Sequence, residues 1–280
     1  MSATGEAAPA VREVQRPYDT TIRYTVTGRT DGPTFAFIHG WGCDRTDYDA
    51  IAGFLSDRYR VIAIDLAEHG ESRSAREVWT IEEFARDVVA VLTAEAAQSV
   101  VVVGHSLGGA VAVESARLLP DAVSHVVALD GLHYLSLYPA QDERQARAVL
   151  QPFYDDFDAA TWGMVEGGSP EGTDPARTNA YFTKMAAVRQ PAGLRAIEGL
   201  VDWDMDAALG DVREPVTLFA VRSLIRQEAI DRYRDRIDIV PVDLGSHHFH
   251  VESPEGTAEL LIQVVSDQSR CRSGGHCAPR

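Results

Sequence analysis

The chain has 280 residues and a mass of 30.6 kDa, enough for a large buried core in one or two domains. Its composition, 45% hydrophobic and 24% charged, excludes a collagen-like, coiled-coil or wholly disordered polymer. A formal charge of −16 repels phosphate backbones and anionic lipid, so neither nucleic acid nor a membrane is an expected partner.

Val11–Arg16 and Thr21–Thr27 read as the strands of an opening hairpin. Thr34–Ile38 is a buried-strand candidate that runs into His39-Gly40-Trp41-Gly42, and Arg60–Ile64 is another. Thr80 and Glu83 form a capping box for a helix whose Ile81, Phe84, Val88, Val91 and Leu92 share one face. Ser99–Val103 is a valine-rich strand ending at Gly104, and Leu107–Leu119 is a small-residue helix stopped by Pro120. Ser124–Leu129 is the next strand and ends at Asp130. Apolar runs separated by helices predict a parallel sheet covered on both faces, so 11–132 is α/β. From 133 to 204 no strand is expected. Helical stretches at 142–157, 174–188 and 192–203 flank a Gly-rich loop at 167–175. Strands resume at Pro215–Val221 and Ile237–Val242 with a helix between them, and a helix over Pro254–Val265 closes the chain. This divides the chain into a core of 11–132 and 205–265, a helical cap of 133–204, and flexible tails of 1–10 and 266–280.

Three cysteines, Cys43, Cys271 and Cys277, are too few for a disulfide framework in a chain this long. The first twenty residues carry no apolar signal region, and no apolar run approaches the roughly 20 residues of a membrane helix. A cytoplasmic protein is expected. A metal site from Cys271, His276 and Cys277 is a weaker reading of the tail than disorder.

The strongest chemical signal is Gly104-His105-Ser106-Leu107-Gly108-Gly109, between a strand and a helix. There G-x-S-x-G places a serine on a strained turn, with glycines that let neighbouring backbone approach. The bland alternative is a helix N-terminus capped by Ser106. An acyl-transfer site needs N–H donors for its oxyanion, and the backbones of Trp41 and Leu107 are the candidates. Trp41 could instead only fill core. The general base must come from a loop that reaches Ser106, and Gly245-Ser246-His247-His248-Phe249-His250 follows the last strand. A metal cluster from those three histidines is disfavoured for want of nearby carboxylate or cysteine ligands. No metal or cofactor is expected.

These motifs, with Asp65 and His69-Gly70-Glu71-Ser72, resemble the α/β-hydrolase superfamily over about 20–132 and 205–265. The resemblance implies an eight-stranded, mostly parallel sheet with helices on both faces and an inserted helical cap. It places the catalytic histidine at His247, with His248 the second choice and His250 a structural histidine. Many members carry the triad acid after strand seven, but here Arg222-Ser223-Leu224-Ile225 follows that strand. Asp130, at the end of strand six, is the replacement; Asp243 and Glu228 are the alternatives. Some dehalogenases, lactone hydrolases and cofactor-free dioxygenases of this fold use that position. Asp65, His69 and Ser72 are expected as turn residues, and Glu68, which departs from the family pattern, as solvated.

The reading is a serine hydrolase of esters or lactones, acting on a small, largely apolar molecule as monomer or homodimer. Trp41, His133, Tyr134, Tyr138, Trp162 and Met164 are the candidate substrate contacts. Cofactor-free oxygenation by a His/Asp pair and small-molecule reception without catalysis are the competing readings. The dioxygenases tend to carry histidine where this chain has Leu107. Epoxide hydrolase and dehalogenase chemistry is disfavoured, because those elbows hold aspartate in the place of Ser106.

Overall fold

The computed structural model describes residues 10–138 and 141–272, with side chains to residue 267. All the predicted strands form. They are β1 (Val11–Arg16), β2 (Thr20–Gly28), β3 (Thr34–Ile38), β4 (Arg60–Ile64), β5 (Val100–His105), β6 (Val123–Leu129), β7 (Val216–Val221) and β8 (Asp238–Val242). They build one eight-stranded sheet in the order β1-β2-β4-β3-β5-β6-β7-β8. The β1–β2 and β2–β4 pairs are antiparallel; every later pair is parallel.

The helices are α1 (Asp49–Leu55), α2 (Ile81–Ala94), α3 (Leu107–Leu118), α4 (Glu143–Asp155), α5 (Phe157–Gly167), α6 (Pro175–Ala186), α7 (Ala192–Val201), α8 (Met205–Asp211), α9 (Gln227–Tyr233), α10 (Phe249–Glu252) and α11 (Pro254–Arg272). The strand period of two splits each apolar run between two cores. Phe35, Phe37, Val101 and Val103 face α1 and α11, while Ala36, Ile38, Val100 and Val102 face α2 and α3. Only the second core continues into the segment between β6 and β7, through Phe153, Val165 and Met185. That segment holds no strand among the described residues.

Two expectations change. The chain after Tyr154 is not the tail of one long helix. Asp156 ends α4 and caps α5 at once, its carboxylate accepting from the Ala159 N–H at 3.0 Å, so no loop separates the two. The last helix continues to Arg272 instead of stopping at Val265, which removes 266–272 from the expected tail. Residues 1–9, His276 and Cys277 lie outside the described residues, and so does the side chain of Cys271.

The topology gathers the chemistry. In an open parallel sheet, ligands bind beyond the carboxyl ends of the strands. Here β3, β5 and β6 are neighbours, and their ends deliver the Gly40 turn, Ser106 and Asp130 side by side.

Candidate active site

Ser106 has φ 52° and ψ −120°, a conformation that costs an L-residue free energy and is retained where geometry demands it. The flanking glycines show what demands it. A Cβ at Gly104 would meet the Gly108 carbonyl oxygen at 2.0 Å, and one at Gly108 would meet the Ile38 carbonyl oxygen at 2.4 Å. The elbow therefore touches itself and the end of β3 through bare backbone. A Cβ at Gly109 would sit 3.4 Å from Ala128, an ordinary contact, so that glycine is not forced. Ser106 is half-buried, and its hydroxyl makes no hydrogen bond among the described residues.

The turn after β3 lies directly on the elbow: a Cβ at Gly40 would be 3.3 Å from Ser106 Cβ. His39 stiffens this turn. Its Nε2 accepts from the Leu66 N–H at 2.9 Å, which leaves Nδ1 to donate to the Gly40 carbonyl at 2.7 Å. The backbone N–H groups of Trp41 and Leu107 donate no hydrogen bond among the described residues. Unpaired buried N–H groups are costly, and a pair of them beside a strained serine is the arrangement an oxyanion hole requires.

His247 Nδ1 lies 2.6 Å from Asp130 Oδ2. The His247 N–H donates to the Gly168 carbonyl at 2.8 Å, and its own carbonyl is 3.0 Å from His105 Nε2. The loop after β8 is thus clamped between the elbow and the C-terminus of α5. Burial alone would raise the Asp130 carboxyl, but hydrogen bonds from His133 and His247 outweigh it and hold the group well below the usual carboxylate range. The alternatives for the acid are elsewhere. Asp243 is 70% exposed and pairs with Arg222, and Glu228 is exposed on α9. His248, the alternative base, stacks on Tyr181, with ring centroids 4.0 Å apart.

The predicted substrate contacts are redistributed. His133 is 1% exposed and binds Asp130 Oδ1 at 3.0 Å, so it grips the Asp130 carboxylate. Tyr134 does the same with its hydroxyl, 2.7 Å from Asp130 Oδ2. Tyr138 is buried against Trp203, its hydroxyl 3.3 Å from the Ser106 carbonyl. Trp162 is half-buried against Phe182, and Met164 is half-buried on α5. Trp41 is buried: its indole donates to the Gly193 carbonyl at 2.7 Å, and its ring packs on Phe153 and Phe157. Trp41 and Tyr138 thus link the segment between β6 and β7 to the core.

Asp65 is a turn residue, accepting from the Arg45 and Glu71 N–H groups at 2.8 Å each and pairing with the Arg45 guanidinium. The Ser72 hydroxyl donates to the Asp65 carbonyl at 2.8 Å, and His69 Nδ1 lies 3.0 Å from the Ala67 carbonyl. Glu68 is not solvated. It is 15% exposed, accepts from the Ser74 N–H at 2.6 Å and pairs with Arg189 at 2.7 Å, because its φ of 60° turns it toward the inserted segment. One grouping went unforeseen: the ligand atoms of Cys43, His105 and His248 lie within 4.8 Å of one another, all buried. Their separation of more than sixty residues in sequence hid it. No helix among the described residues is long and apolar enough to cross a membrane.

A model of the Alpha/beta hydrolase family matches residues 35–260. The chain belongs to that family. It is 27% identical over 264 residues to a 2-(acetamidomethylene)succinate hydrolase of Mesorhizobium japonicum, covering 87% of this chain and 92% of the relative. It is 29% identical over 226 residues to a pimeloyl-[acyl-carrier protein] methyl ester esterase of Methylococcus capsulatus, covering 76% and 80%. Its fold is similar to that of Est816, an N-acyl homoserine lactone degrading enzyme, with a TM-score of 0.78, 22% identity and coverage of 90% and 99%. An esterase of Exiguobacterium antarcticum gives a TM-score of 0.77 at 16% identity, covering 91% and 98%.

Proposed function

We propose that this α/β hydrolase cleaves a carboxylic ester or lactone of a small, largely apolar molecule through an acyl-enzyme on Ser106. The observation that carries this reading is the strained Ser106 beside two unengaged N–H groups, Trp41 and Leu107. Ser106 attacks the carbonyl carbon. His247, oriented by Asp130 through the 2.6 Å contact at Nδ1, takes the hydroxyl proton and delivers it to the leaving alcohol. The two N–H groups receive the negative oxygen of the tetrahedral intermediate. Water activated by the same histidine then releases the acid. Esterases among the relatives support the reaction class.

The pair of unengaged N–H donors beside Ser106 supports catalysis over small-molecule reception. Cofactor-free oxygenation would use His247 and Asp130 but not the Ser106 oxygen as a nucleophile. Ser106→Ala therefore separates the readings: hydrolysis of p-nitrophenyl esters should fall by at least about a thousandfold. A fluorophosphonate should label wild-type Ser106 and not the variant. Turnover retained in the folded variant would overturn the acyl-enzyme.

A further inference from the structure

Asp130 is held by more donors than an orienting carboxylate needs. Its Oδ1 accepts from the Val221 N–H at 2.7 Å and faces His133 Nε2 at 3.0 Å. Its Oδ2 accepts from the Tyr134 hydroxyl at 2.7 Å and faces His247 Nδ1 at 2.6 Å. The Tyr134 oxygen is also 3.1 Å from His247 Nδ1, so the tyrosine, the acid and the imidazole form a closed triangle. The backbone makes this possible. Asp130 and Leu132 have φ 45° and 59°, and the chain curls back so that residues three and four positions on reach the carboxylate. The His133 and Tyr134 rings pack on each other with centroids 4.1 Å apart.

A carboxylate with few other partners would bind a protonated imidazole strongly. A general base held in that form has no free lone pair for a serine proton. Each added donor takes up part of the carboxylate charge and weakens that hold. We propose that His133 and Tyr134 are positioning residues that tune the basicity of His247 by sharing its carboxylate, and that they fix its ring plane toward Ser106. The inference rests on the acyl-enzyme reading and deepens it. Many members place the acid after strand seven; here the end of β7 supplies only the Val221 N–H, and the turn after β6 supplies His133 and Tyr134.

The other groups around His247 leave this test clean. His105 faces it from β5, with ring centroids 4.6 Å apart, and His248 is adjacent at 5.2 Å. His250 lies behind His105 at 4.2 Å, and the Lys184 amine on α6 acts on His248 and His250 from further away. Burial keeps His105, His248 and His250 uncharged near neutral pH. Lys184 stays charged, because Asp47 and Asp44 outweigh its burial. Burial and Asp130 keep the Tyr134 and Tyr138 hydroxyls protonated.

The test is the pH profile of kcat/KM for p-nitrophenyl butyrate, from about pH 6 to 9, with fluorophosphonate labelling as a parallel readout. His133→Phe and Tyr134→Phe each remove one donor and keep a ring. Each should move the acid limb up by about half a pH unit, and cut kcat/KM at neutral pH by up to about threefold. His133→Gln, which keeps an N–H donor, should bring the limb back toward wild type. An unmoved limb in the folded phenylalanine variants overturns the inference, as does a glutamine variant no closer to wild type than His133→Phe. If His133→Phe does not fold, Tyr134→Phe and His133→Gln decide alone. Failure of wild-type Ser106 to label is a different result: it strikes the acyl-enzyme reading itself.

Discussion

On the core side of the site, Ser106, the Gly40 turn and the His247 loop touch through bare backbone and a set of buried imidazoles. On the side of the helical segment between β6 and β7, the expected cap side, the helices are tied to the core by tethers at separate points. These are Lys184 with Asp44 and Asp47, Arg189 with Glu68, the Trp41 indole with Gly193, and the His247 N–H with Gly168. The core side is held mainly by steric fit and buried uncharged rings, with the buried Asp130 carboxylate as its one charge at the His247 loop, and salt screens little of this. Much of the cap side is held by charge, which acid near neutrality barely touches. The two sides should therefore fail under different stresses, and each can be loosened without the other.

Acid is the stress that should break the core side. Burial lowers His39 and His125 to about 4, and His69 and His250 to about 3; it also lowers His105 and His248 well below the ordinary value of 6.5. Both ring nitrogens of His250, and Nδ1 of His105, lack a hydrogen-bond partner. Since the folded values lie below the unfolded one, the unfolded chain binds the protons. Stability is full above about pH 6.5 and is lost as the pH falls from there toward the folded values, at up to about 1.4 kcal/mol per pH unit for each group. Urea denaturation should show a loss on the order of several kcal/mol between about pH 7.5 and 5.5. Equal midpoints at the two pH values would mean that these imidazoles are not held neutral.

Within the core side, steric fit can be tested at one atom. Gly108→Ala would drive a Cβ into the Ile38 and His39 carbonyl oxygens, at 2.4 and 2.7 Å, and force the Gly40 turn away from the elbow. Overpacking of this kind costs about 1–3 kcal/mol. The displaced oxyanion donor should cost activity about a hundredfold, more than stability alone explains. Gly109→Ala, with its nearest contact at 3.4 Å, is the control and should remain active. Similar losses in both variants would show that the elbow is not set by this contact.

The same contrast explains what could be read in the chain. The elbow was legible because its steric demands are local: glycines two before and two after Ser106 mark backbone that must approach backbone. Asp130 was reached through the family resemblance, which looks for an acid after strand seven or six, together with the lack of a carboxylate after β7 before Glu228. The cap side was not legible in this way. Glu68 and Arg189 are 121 residues apart and become partners only through the fold. α5 was missed because Asp156 leaves no linker before it. The short α1 was missed because a single apolar stretch of that length carries little periodicity. His133 and Tyr134 were singled out, but for the cleft. Only the positive φ values of Asp130 and Leu132 turn them onto the acid.

Charge is the last and smallest test, on the cap side. Lys184 is the one lysine in the chain, and it reaches from α6 to Asp47 at 2.6 Å and Asp44 at 3.0 Å, just beyond the oxyanion turn. Burial raises the Asp47 carboxyl while Lys184 opposes it, so removing the amine leaves two carboxylates facing each other with one poorly hydrated. Lys184→Met keeps the length and apolar stem but not the charge. It should cost about 1 kcal/mol, or roughly 2–4 °C in Tm. The loss should be local: limited proteolysis should cut in α6 and the loop before it sooner than in the sheet, and added salt should weaken the wild type toward the variant. If the variant's sheet were instead cut as early as α6, the two sides would be one cooperative unit, and the distinction between acid-labile core and salt-labile cap side would collapse.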